Sequence, residues 1–349
     1  MTKKERVKHA ILHQKSDRLP HQIDFTWRMK KEFLKHFQIH ENELPELLGN
    51  HFLYIDTHKK VKLDEEKGVD YDVFGVGWDL VKSEGYLPCY HPLTDWKNFN
   101  SFQFPDPQNS ILYQDFIPLQ EWQKKEYFIL STQGWVLMER AWLLRGFENF
   151  MIDLIDNRTE LERLLDLITE YQIEVLRHLI RLGVDGIYTG DDYGTQRGLL
   201  IARKTWQNLF KPRLKRIWNV AKKEGIPVFH HSCGNVLEIL DDMIEIGLNV
   251  LIPVQPQAMD IQLLQNRFGN HLTFMGGIST QKTLPFGTPT DVQLEVRKCI
   301  EVLGSKNNYI ISASHEIGSD CPMDNLIAFF NEMKLTNGSD IPLLDKQKT

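Results

Sequence analysis

The second half of the chain repeats one pattern, a short apolar run followed by a stretch with helical spacing, and this repeat constrains the fold most. The apolar runs are VDGIYTGDD, IPVFHHSCG, NVLIPVQ, HLTFMGG and NYIISASHE. Strand–helix units in such a succession predict parallel strands joined by crossover helices. No G-x-G-x-x-G follows these runs, which argues against a doubly wound dinucleotide-binding fold. The pattern predicts an α/β protein, a (β/α)8 TIM barrel.

The first half fits the same sheet less regularly. The stretches LPHQIDFTW (19–27) and YFILSTQGW (127–135) are predicted to be strands of the barrel. The range between them, 28–125, is irregular and rich in aromatic residues and prolines, which predicts an N-terminal insertion or cap. No Gly/Ser-rich or Pro-rich linker divides the chain, so residues 1–349 are predicted to form a single TIM-barrel domain.

Composition excludes several classes of protein. A net charge of -6 argues against a nucleic-acid surface, which normally needs a basic face. No apolar run is long enough to span a bilayer, and the charged N-terminus MTKKERVKHAILHQKSDRLP argues against a signal peptide. The four cysteines are irregularly spaced and predict no disulfide framework. We expect a cytoplasmic protein that binds neither nucleic acid nor membrane.

Polar and glycine residues gather at the ends of the predicted strands. In a TIM barrel the carboxyl ends of all strands open onto one mouth, where barrel enzymes carry their active sites. Residues distant in sequence are therefore expected to share one pocket. They are Asp191, Asp192, His231, Cys233, Gln255, Gly276, Gly277, His315 and Glu316.

His231 and Cys233 are the strongest candidates for metal ligands. Imidazole nitrogen and thiolate sulfur are ligands that zinc prefers, and positions i and i+2 of an extended segment point to the same side. His315, at the end of the last predicted strand, is the better placed third ligand, while Cys321 follows six residues later. The alternative is that the histidines are structural and that Cys233 is a small buried apolar residue.

Acidic and aromatic residues complete the candidate pocket. Asp192 is favoured as a general acid/base or polar anchor, whereas Asp191 suits a helix cap in a turn. Cys299 is predicted to lie in the core and Cys89 to be structural. The residues predicted to contact a flat, apolar or aromatic substrate are Phe25, Trp27, Tyr188, Tyr193 and Gln255.

Four segments together resemble the uroporphyrinogen decarboxylase superfamily. They are GDDYGTQRGLLI, HHSCGNVLEILDDMIEIGLNVLIPVQPQAMDIQLLQNRFG, MGGISTQKTLPFGTP and YIISASHEIGSDCPMDN, and ERVKHAILHQKSDRLP matches more weakly. The resemblance covers nearly the whole chain and implies a single TIM barrel. The decarboxylases of this superfamily need no metal and hold a polycarboxylate substrate through N-terminal arginines. Here LPHQIDFTWRMKKEF lacks the arginine pair and offers only Arg28, so decarboxylation of that substrate is not expected.

The other branch of the superfamily contains cobalamin-dependent methyltransferases that bind zinc through an H-x-C…C arrangement. His231 and Cys233 match the first two ligands, and His315 stands where the third cysteine is expected. One thiolate fewer makes the metal a stronger Lewis acid, which suits polarising the oxygen of a methyl donor. Glu316, Asp192, water or substrate is left as the fourth ligand.

The resemblance thus implies a methyltransferase of an O-demethylase system in one-carbon metabolism. It would move a methyl group from a small methoxylated substrate, an aryl methyl ether, to cob(I)alamin on a separate corrinoid protein. Zn²⁺ is the implied resident cofactor, Asp192 and His315 are the expected catalytic residues, and a homodimer is one possible assembly. The alternatives are a metal-independent lyase acting on a small acid, a barrel that binds without chemistry, and a methylamine or thiol donor.

Overall fold

The computed structural model describes residues 1–81, 87–116, 126–338 and 343–344. In these ranges the strands are β1 (Phe52–Asp56), β2 (Lys60–Asp64), β3 (Val69–Asp72), β4 (Gly77–Asp79), β5 (Leu87–Tyr90), β6 (Phe128–Gln133), β7 (Gly186–Gly190), β8 (Val228–His231), β9 (Val250–Val254), β10 (Thr273–Ile278) and β11 (Tyr309–Ala313). The helices are α1 (Lys3–Ile11), α2 (Trp27–Phe37), α3 (Leu44–Leu48), α4 (Met138–Arg145), α5 (Phe147–Asp153), α6 (Arg158–Arg181), α7 (Arg203–Leu209), α8 (Lys211–Lys223), α9 (Leu240–Ile246), α10 (Ile261–Phe268), α11 (Thr283–Phe286), α12 (Pro289–Leu303) and α13 (Met323–Asn337).

Seven strands form one parallel sheet in the order β1-β6-β7-β8-β9-β10-β11. This confirms the five parallel strands predicted from the repeat in the second half of the chain. Parallel neighbours need a crossover connection, and helices α6 to α12 supply the crossovers from β6 onwards. Strands β9, β10 and β11 are buried at every position, as expected for a parallel sheet covered on both faces.

The sheet is curled, so that its first and last strands approach one another. Phe52 of β1 and Ile310 of β11 belong to the same buried cluster, although these strands are the two edges of the sheet. The segment around His21 lies between the edges, since the amide of Gln22 donates to the carbonyl of Ile311 at 2.9 Å and that of His51 donates to the carbonyl of His21 at 3.2 Å. This arrangement is consistent with a TIM-like fold.

Helix α1 covers the end of the sheet at which the strands begin. Val7 and Ala10 join the interior cluster, and the hydroxyl of Thr273, the first residue of β10, donates to the carbonyl of Ala10 at 2.9 Å. A capping box starts this helix, because Thr2 and Glu5 exchange side-chain to backbone hydrogen bonds. The other end of the sheet, where the strands finish, is left for a site.

The helices follow the predicted spacing. In α6, Leu161, Leu164, Leu165 and Ile168 are fully buried on one face, each contributing roughly 1.5–3 kcal/mol. A break separates α7 from α8, and Pro212 lies in the first turn of α8. Within the described ranges, none of the helices combines the length and apolar character that a membrane span requires.

The N-terminal range 28–125 is not the single insertion that the sequence pattern suggests. Strand β1 lies inside this range and belongs to the main sheet, while β2 to β5 form a separate antiparallel sheet. The pentapeptide FLYID of β1 is too short an apolar run to be distinguished from its surroundings by pattern alone. Conversely, the stretch 19–27 forms only isolated bridges to Ile311 and Ile317. Residues 82–86 and 117–125 of the predicted cap lie outside the described residues.

Candidate metal centre

The loops that follow β7 and β8 pack backbone against backbone. A Cβ atom on Gly234 would lie 2.6 Å from the carbonyl oxygen of Gly194, and a Cβ on Gly194 would lie 2.7 Å from that of Cys233. Gly234 also has a φ of +80°, which favours glycine. The amide of Tyr193 donates to the hydroxyl of Ser232 at 2.9 Å. These contacts fix Cys233 beside the end of β7.

The structure brings the three predicted metal ligands together. One donor atom each from His231, Cys233 and His315 lies within 4.8 Å of the others. The Nε2 atom of His231 is 3.3 Å from the Sγ atom of Cys233, and the rings of the two histidines are 5.7 Å apart. Two ligands of a tetrahedral zinc ion with ordinary Zn–N and Zn–S bonds lie about 3.6 Å apart. The donor types and their spacing therefore fit zinc.

Neighbouring side chains orient two members of this trio, His231 and Cys233. The hydroxyl of Tyr188 hydrogen-bonds Nδ1 of His231 at 2.8 Å, which leaves Nε2 directed at Cys233. The side-chain amide of Gln255 donates to Sγ of Cys233 at 3.5 Å and accepts from the amide of Gly234 at 2.5 Å. Oδ1 of Asp192 accepts from the amide of Cys233 at 2.8 Å and lies 3.6 Å from Nε2 of His231. Such partners hold ligand side chains in one orientation.

Burial sets the protonation of the trio. It lowers the pKa of His231 to about 4, with Asp192 opposing the shift, and it also lowers the pKa of His315. Both rings are therefore neutral at pH 7, the state in which a histidine binds a metal. Burial, together with the charges of Asp192 and Glu139, raises the pKa of the Cys233 thiol far above its usual value. The hydrogen bond from Gln255 opposes this shift only in part, and a cation beside the sulfur would stabilise the thiolate.

A cavity of about 320 Å³ opens beside the two histidines of the trio at the carboxyl ends of the strands. Its wall combines carboxylates and tyrosines with apolar side chains, and no lysine or arginine lines it among the described residues. The lining residues are Asp24, Tyr54, Asp56, Thr132, Tyr188, His231, Ile252, Pro253, Met275, Ser312, Ala313, His315 and Glu316.

Two carboxyl groups of this wall hold their protons unusually tightly. Burial raises the pKa of Asp24 to about 6, although Gln22 and Tyr54 favour its charged form. Burial and the charge of Asp24 raise the pKa of Glu316 to about 7. Asp56 differs, because the ring of His58 lies 3.0 Å away and lowers its pKa against the effect of burial.

A larger concave region of about 680 Å³ lies elsewhere on the molecule. Phe128, Val184, Pro227 and Leu248, which lie at or just before strand starts, line it. Barrel enzymes carry their active sites at the opposite, carboxyl ends of the strands. The smaller cavity beside His231 is therefore the candidate functional site.

The predicted substrate contacts divide into two groups. Tyr188 lines the cavity, and Gln255 lies behind it, where it holds the Cys233 loop. Phe25, Trp27 and Tyr193 do not line the cavity. Phe25 packs on the ring of Phe33, and Trp27 begins α2 with half of its surface exposed. Tyr193 is fully buried, so the geometry does not support a substrate contact for these three residues.

The polar candidates take separate roles. Asp191 is fully buried and caps α4, since its carboxylate accepts from the amides of Leu137 and Glu139 and from the hydroxyl of Tyr193. A helix cap is the role that its turn suggests, but the capped helix precedes β7 in the chain. Glu316 lines the cavity without joining the cluster of donor atoms, so a role as fourth ligand stays a prediction.

The other cysteines lie outside the metal cluster. Cys299 is buried in α12, with Sγ donating to the carbonyl of Gly277 at 3.4 Å, as predicted for a core residue. Cys321 is also buried, and its Sγ is 3.7 Å from the carbonyl oxygen of Pro322. Cys89 is exposed on β5.

Sequence reasoning overlooked several lining residues. Tyr54 and Asp56 end β1, which lies inside the range assigned to the cap, and Asp24 precedes the first aromatic candidate. The alternation of FLYID is the signal that could have found the first two, because positions i and i+2 of a strand face the same side. Glu139, which does not line the cavity, was also overlooked, and its pKa is raised well above the usual value by burial and by the charges of Asp192 and Asp191.

Comparisons with known proteins agree with this architecture. Residues 135–335 match the family model described as Uroporphyrinogen decarboxylase (URO-D). A uroporphyrinogen decarboxylase of Christiangramia forsetii is 26% identical over 172 residues, 49% of this chain and 47% of that protein, so the chain spans about half the length of this curated relative. The structure of a methyltransferase from Methanosarcina mazei has a TM-score of 0.71 at 18% identity, covering 96% of this chain and 99% of its own, which shows a shared fold. Because the family model matches more than half of its sequence, the chain belongs to the uroporphyrinogen decarboxylase (URO-D) family.

Proposed function

We propose that this protein is a zinc-dependent methyltransferase that moves a methyl group from a small methoxylated substrate to the cob(I)alamin of a separate corrinoid protein. The observation that carries the proposal is the convergence of His231, Cys233 and His315, whose donor atoms lie within 4.8 Å of one another. They converge at the carboxyl ends of the strands, where a TIM-like fold carries its chemistry.

The donor set favours a Lewis-acid role. Two neutral imidazoles and one thiolate would leave a bound zinc ion with a net positive charge, and the ion would polarise the oxygen of the methyl donor. Tyr188 and Gln255 keep His231 and Cys233 in the geometry that such an ion needs. The fourth position is left to substrate, water, Asp192 or Glu316.

The remaining residues of the site bind and orient the donor. Tyr54, Tyr188 and Met275 offer flat and apolar surface to an aryl ring. In the transfer, the bond from the methyl carbon to oxygen breaks with its electron pair on oxygen, which takes a proton. The electron pair of the new bond to carbon comes from the cobalt(I) of the acceptor. We propose that Asp192 gives this proton to the oxygen. Its Oδ1 accepts from the Cys233 amide, so Oδ2 is the atom that would carry the proton.

Cavity charge argues against the decarboxylation that gives the family its name. A substrate with several carboxylates needs cationic partners, and the lining contains Asp24, Asp56 and Glu316 but no described lysine or arginine. A lyase acting on a smaller acid meets the same repulsion. A methylated amine is the second candidate donor, because carboxylates in the wall would attract it rather than repel it.

Zinc content tests the metal site directly. We expect about one zinc ion per chain, lost in His231→Ala, Cys233→Ala and His315→Ala. Cys321→Ala is the matched control, since it removes a cysteine near the same strand end but outside the cluster. The proposal would lose its basis if the parent stays metal-free after zinc supplementation, or if all three ligand variants keep their zinc.

Methyl transfer is then measured with the zinc-loaded protein. Methoxylated aromatic compounds are offered together with cob(I)alamin, and formation of methylcobalamin is followed by its absorbance. We expect turnover in the parent and in Cys321→Ala and none in the three ligand variants. Turnover that survives loss of the zinc would instead favour a metal-independent reaction.

A further inference from the structure

The wall of the cavity carries uncompensated negative charge. Three carboxylates line it, and among the described residues only that of Asp56 has a basic partner, the ring of His58 at 3.0 Å. Asp24 accepts a hydrogen bond from the neutral amide of Gln22 at 2.8 Å, and Glu316 has no ion pair in the described part of the chain. Carboxylates gathered without a cation cost free energy, which a positively charged ligand recovers.

A pair of tyrosines joins this acidic end of the cavity to the metal-binding end. The hydroxyl of Tyr188 bonds to His231, and its ring lies 6.3 Å from that of Tyr54 at an angle of 70°. Tyr54 in turn neighbours Asp24 and favours its charged form. Aromatic faces attract ammonium groups through their quadrupole, so this wall suits a cation better than a neutral polar group.

The metal ligands do not supply the missing cation at this end. A zinc ion bound by His231, Cys233 and His315 would share its charge with the thiolate. The cavity is therefore polarised, with an electrophilic end at the trio and an anionic end at Asp24. A bound molecule gains most when its methyl group and its positive charge lie at opposite ends.

Building on the proposed methyl transfer, we infer that the methyl donor carries an ammonium group, which Asp24 and Glu316 bind while the methyl group lies towards His231 and His315. The substrate class is then an amine, whether the bond that breaks is to oxygen in a methoxylated amine or to nitrogen in a methylated one. The volume of about 320 Å³ is at the small end for ligand sites and fits a single ring or a short chain. Aryl carboxylates of the same size are excluded by repulsion.

Matched ligands test the inference without any turnover. We would titrate 4-methoxybenzylamine, 4-methoxybenzyl alcohol and 4-methoxybenzoate into the full chain by calorimetry, because they share one ring and differ in charge. A second pair, choline and 3,3-dimethylbutan-1-ol, compares a quaternary ammonium with its neutral isostere. We expect each cation to bind about tenfold more tightly than its neutral partner, and the carboxylate not to bind.

Asp24→Asn isolates the residue, because it keeps the shape and removes the charge. We expect it to abolish the preference for the cation and to leave the affinity for the alcohols unchanged. Glu301→Gln, which removes an exposed carboxylate of α12, is the control that keeps the preference. Equal binding of cation and alcohol, failure of both cations to bind, or a preference that survives in Asp24→Asn overturns the inference.

The two proposals fail separately. Binding of the amines is measured with and without zinc and needs no corrinoid protein. A cation preference in a chain that takes up no zinc would overturn the metal-dependent transfer alone. Zinc binding and methyl transfer without any preference for amines would overturn only the ammonium site.

Discussion

The hydroxyl of Tyr188 lies 2.8 Å from Nδ1 of His231, on the side of the ring away from Cys233. When Nε2 binds a metal, the neutral ring carries its proton on Nδ1, which then donates to the hydroxyl of Tyr188. The tyrosine comes from β7 and the histidine from β8, which pair directly, so the sheet itself sets the contact. The metal site thus depends on the strand register as well as on its ligands.

Tyr188→Phe is expected to weaken zinc binding by about tenfold, because the His231 ring loses the partner that fixes its orientation. Zinc affinity is measured by competition with a chromogenic chelator. Tyr54→Phe is the matched control, since that tyrosine lines the same cavity without a contact to the trio. Equal affinities in the two variants would show that the Tyr188 hydrogen bond does not position the ligand.

Gly234→Ala is expected to unfold more readily than Gly225→Ala. Both glycines have positive φ, which costs a side chain about 1–2 kcal/mol. A Cβ at Gly225 meets nothing within 4 Å, whereas at Gly234 it would lie 2.6 Å from the carbonyl oxygen of Gly194. The difference between the two free energies of unfolding in urea therefore measures the packing of the loops. A difference near zero would mean that the loops separate at little cost.

The sequence pattern predicted the second half of the fold, where the apolar runs of the strands and the spacing of the helices point to the same elements. Strands β7 to β11 are apolar runs bounded by helices with clear spacing, and the trio of ligands follows because parallel strands place their carboxyl ends together. His231 and Cys233 needed only their own strand, while His315 needed the correct position of β11. The trio was therefore predictable from the order of the elements alone.

The acidic end of the cavity could not be predicted in the same way. Asp24 lies in a segment held by isolated bridges, and Tyr54 lies in a strand of five residues, so neither has a periodic signal around it. Tyr193 shows the opposite error, because its hydroxyl bonds to the buried Asp191 and draws the ring into the core. Side-chain direction after a strand end is set by tertiary hydrogen bonds, which the sequence pattern does not contain.

Stability is expected to fall as the pH decreases from about 6.5 to about 4. Burial lowers the pKa of His21 to about 4 from an ordinary 6.5, and it lowers the pKa of His51 well below its ordinary value. The unfolded chain binds more protons in this window, so the full stability is present above it and is lost as the pH falls through it. The shift of His21 alone corresponds to roughly 3 kcal/mol.

His21→Gln tests this assignment through the free energy of unfolding at a series of pH values. The variant is expected to be less stable at pH 7 but to depend less on pH between 4 and 6.5. His271→Gln, at an exposed position, is the control and should keep the slope of the parent. An unchanged slope in His21→Gln would assign the acid sensitivity to other groups.

Asp24→Asn is expected to stabilise the zinc-free protein at pH 8 by about 1–2 kcal/mol. This is only a fraction of the free energy that corresponds to the full pKa shift of Asp24, because the side chain is partly exposed. Burial raises the folded pKa of Asp24 to about 6 from an ordinary 3.8, so the folded state binds more protons between these values. Stability is therefore lost as the pH rises through this window, and the asparagine removes the loss. The gain should disappear below pH 3.8, where aspartic acid is protonated in both states.

A partly buried carboxylate without a cationic partner lowers the stability of the ligand-free protein and can bind a cation. An ammonium ligand should therefore stabilise the parent at pH 8 but not the Asp24→Asn variant. A variant less stable than the parent at pH 8 would show that the Asp24 carboxylate is already compensated in the fold and has no unmet charge to offer a substrate.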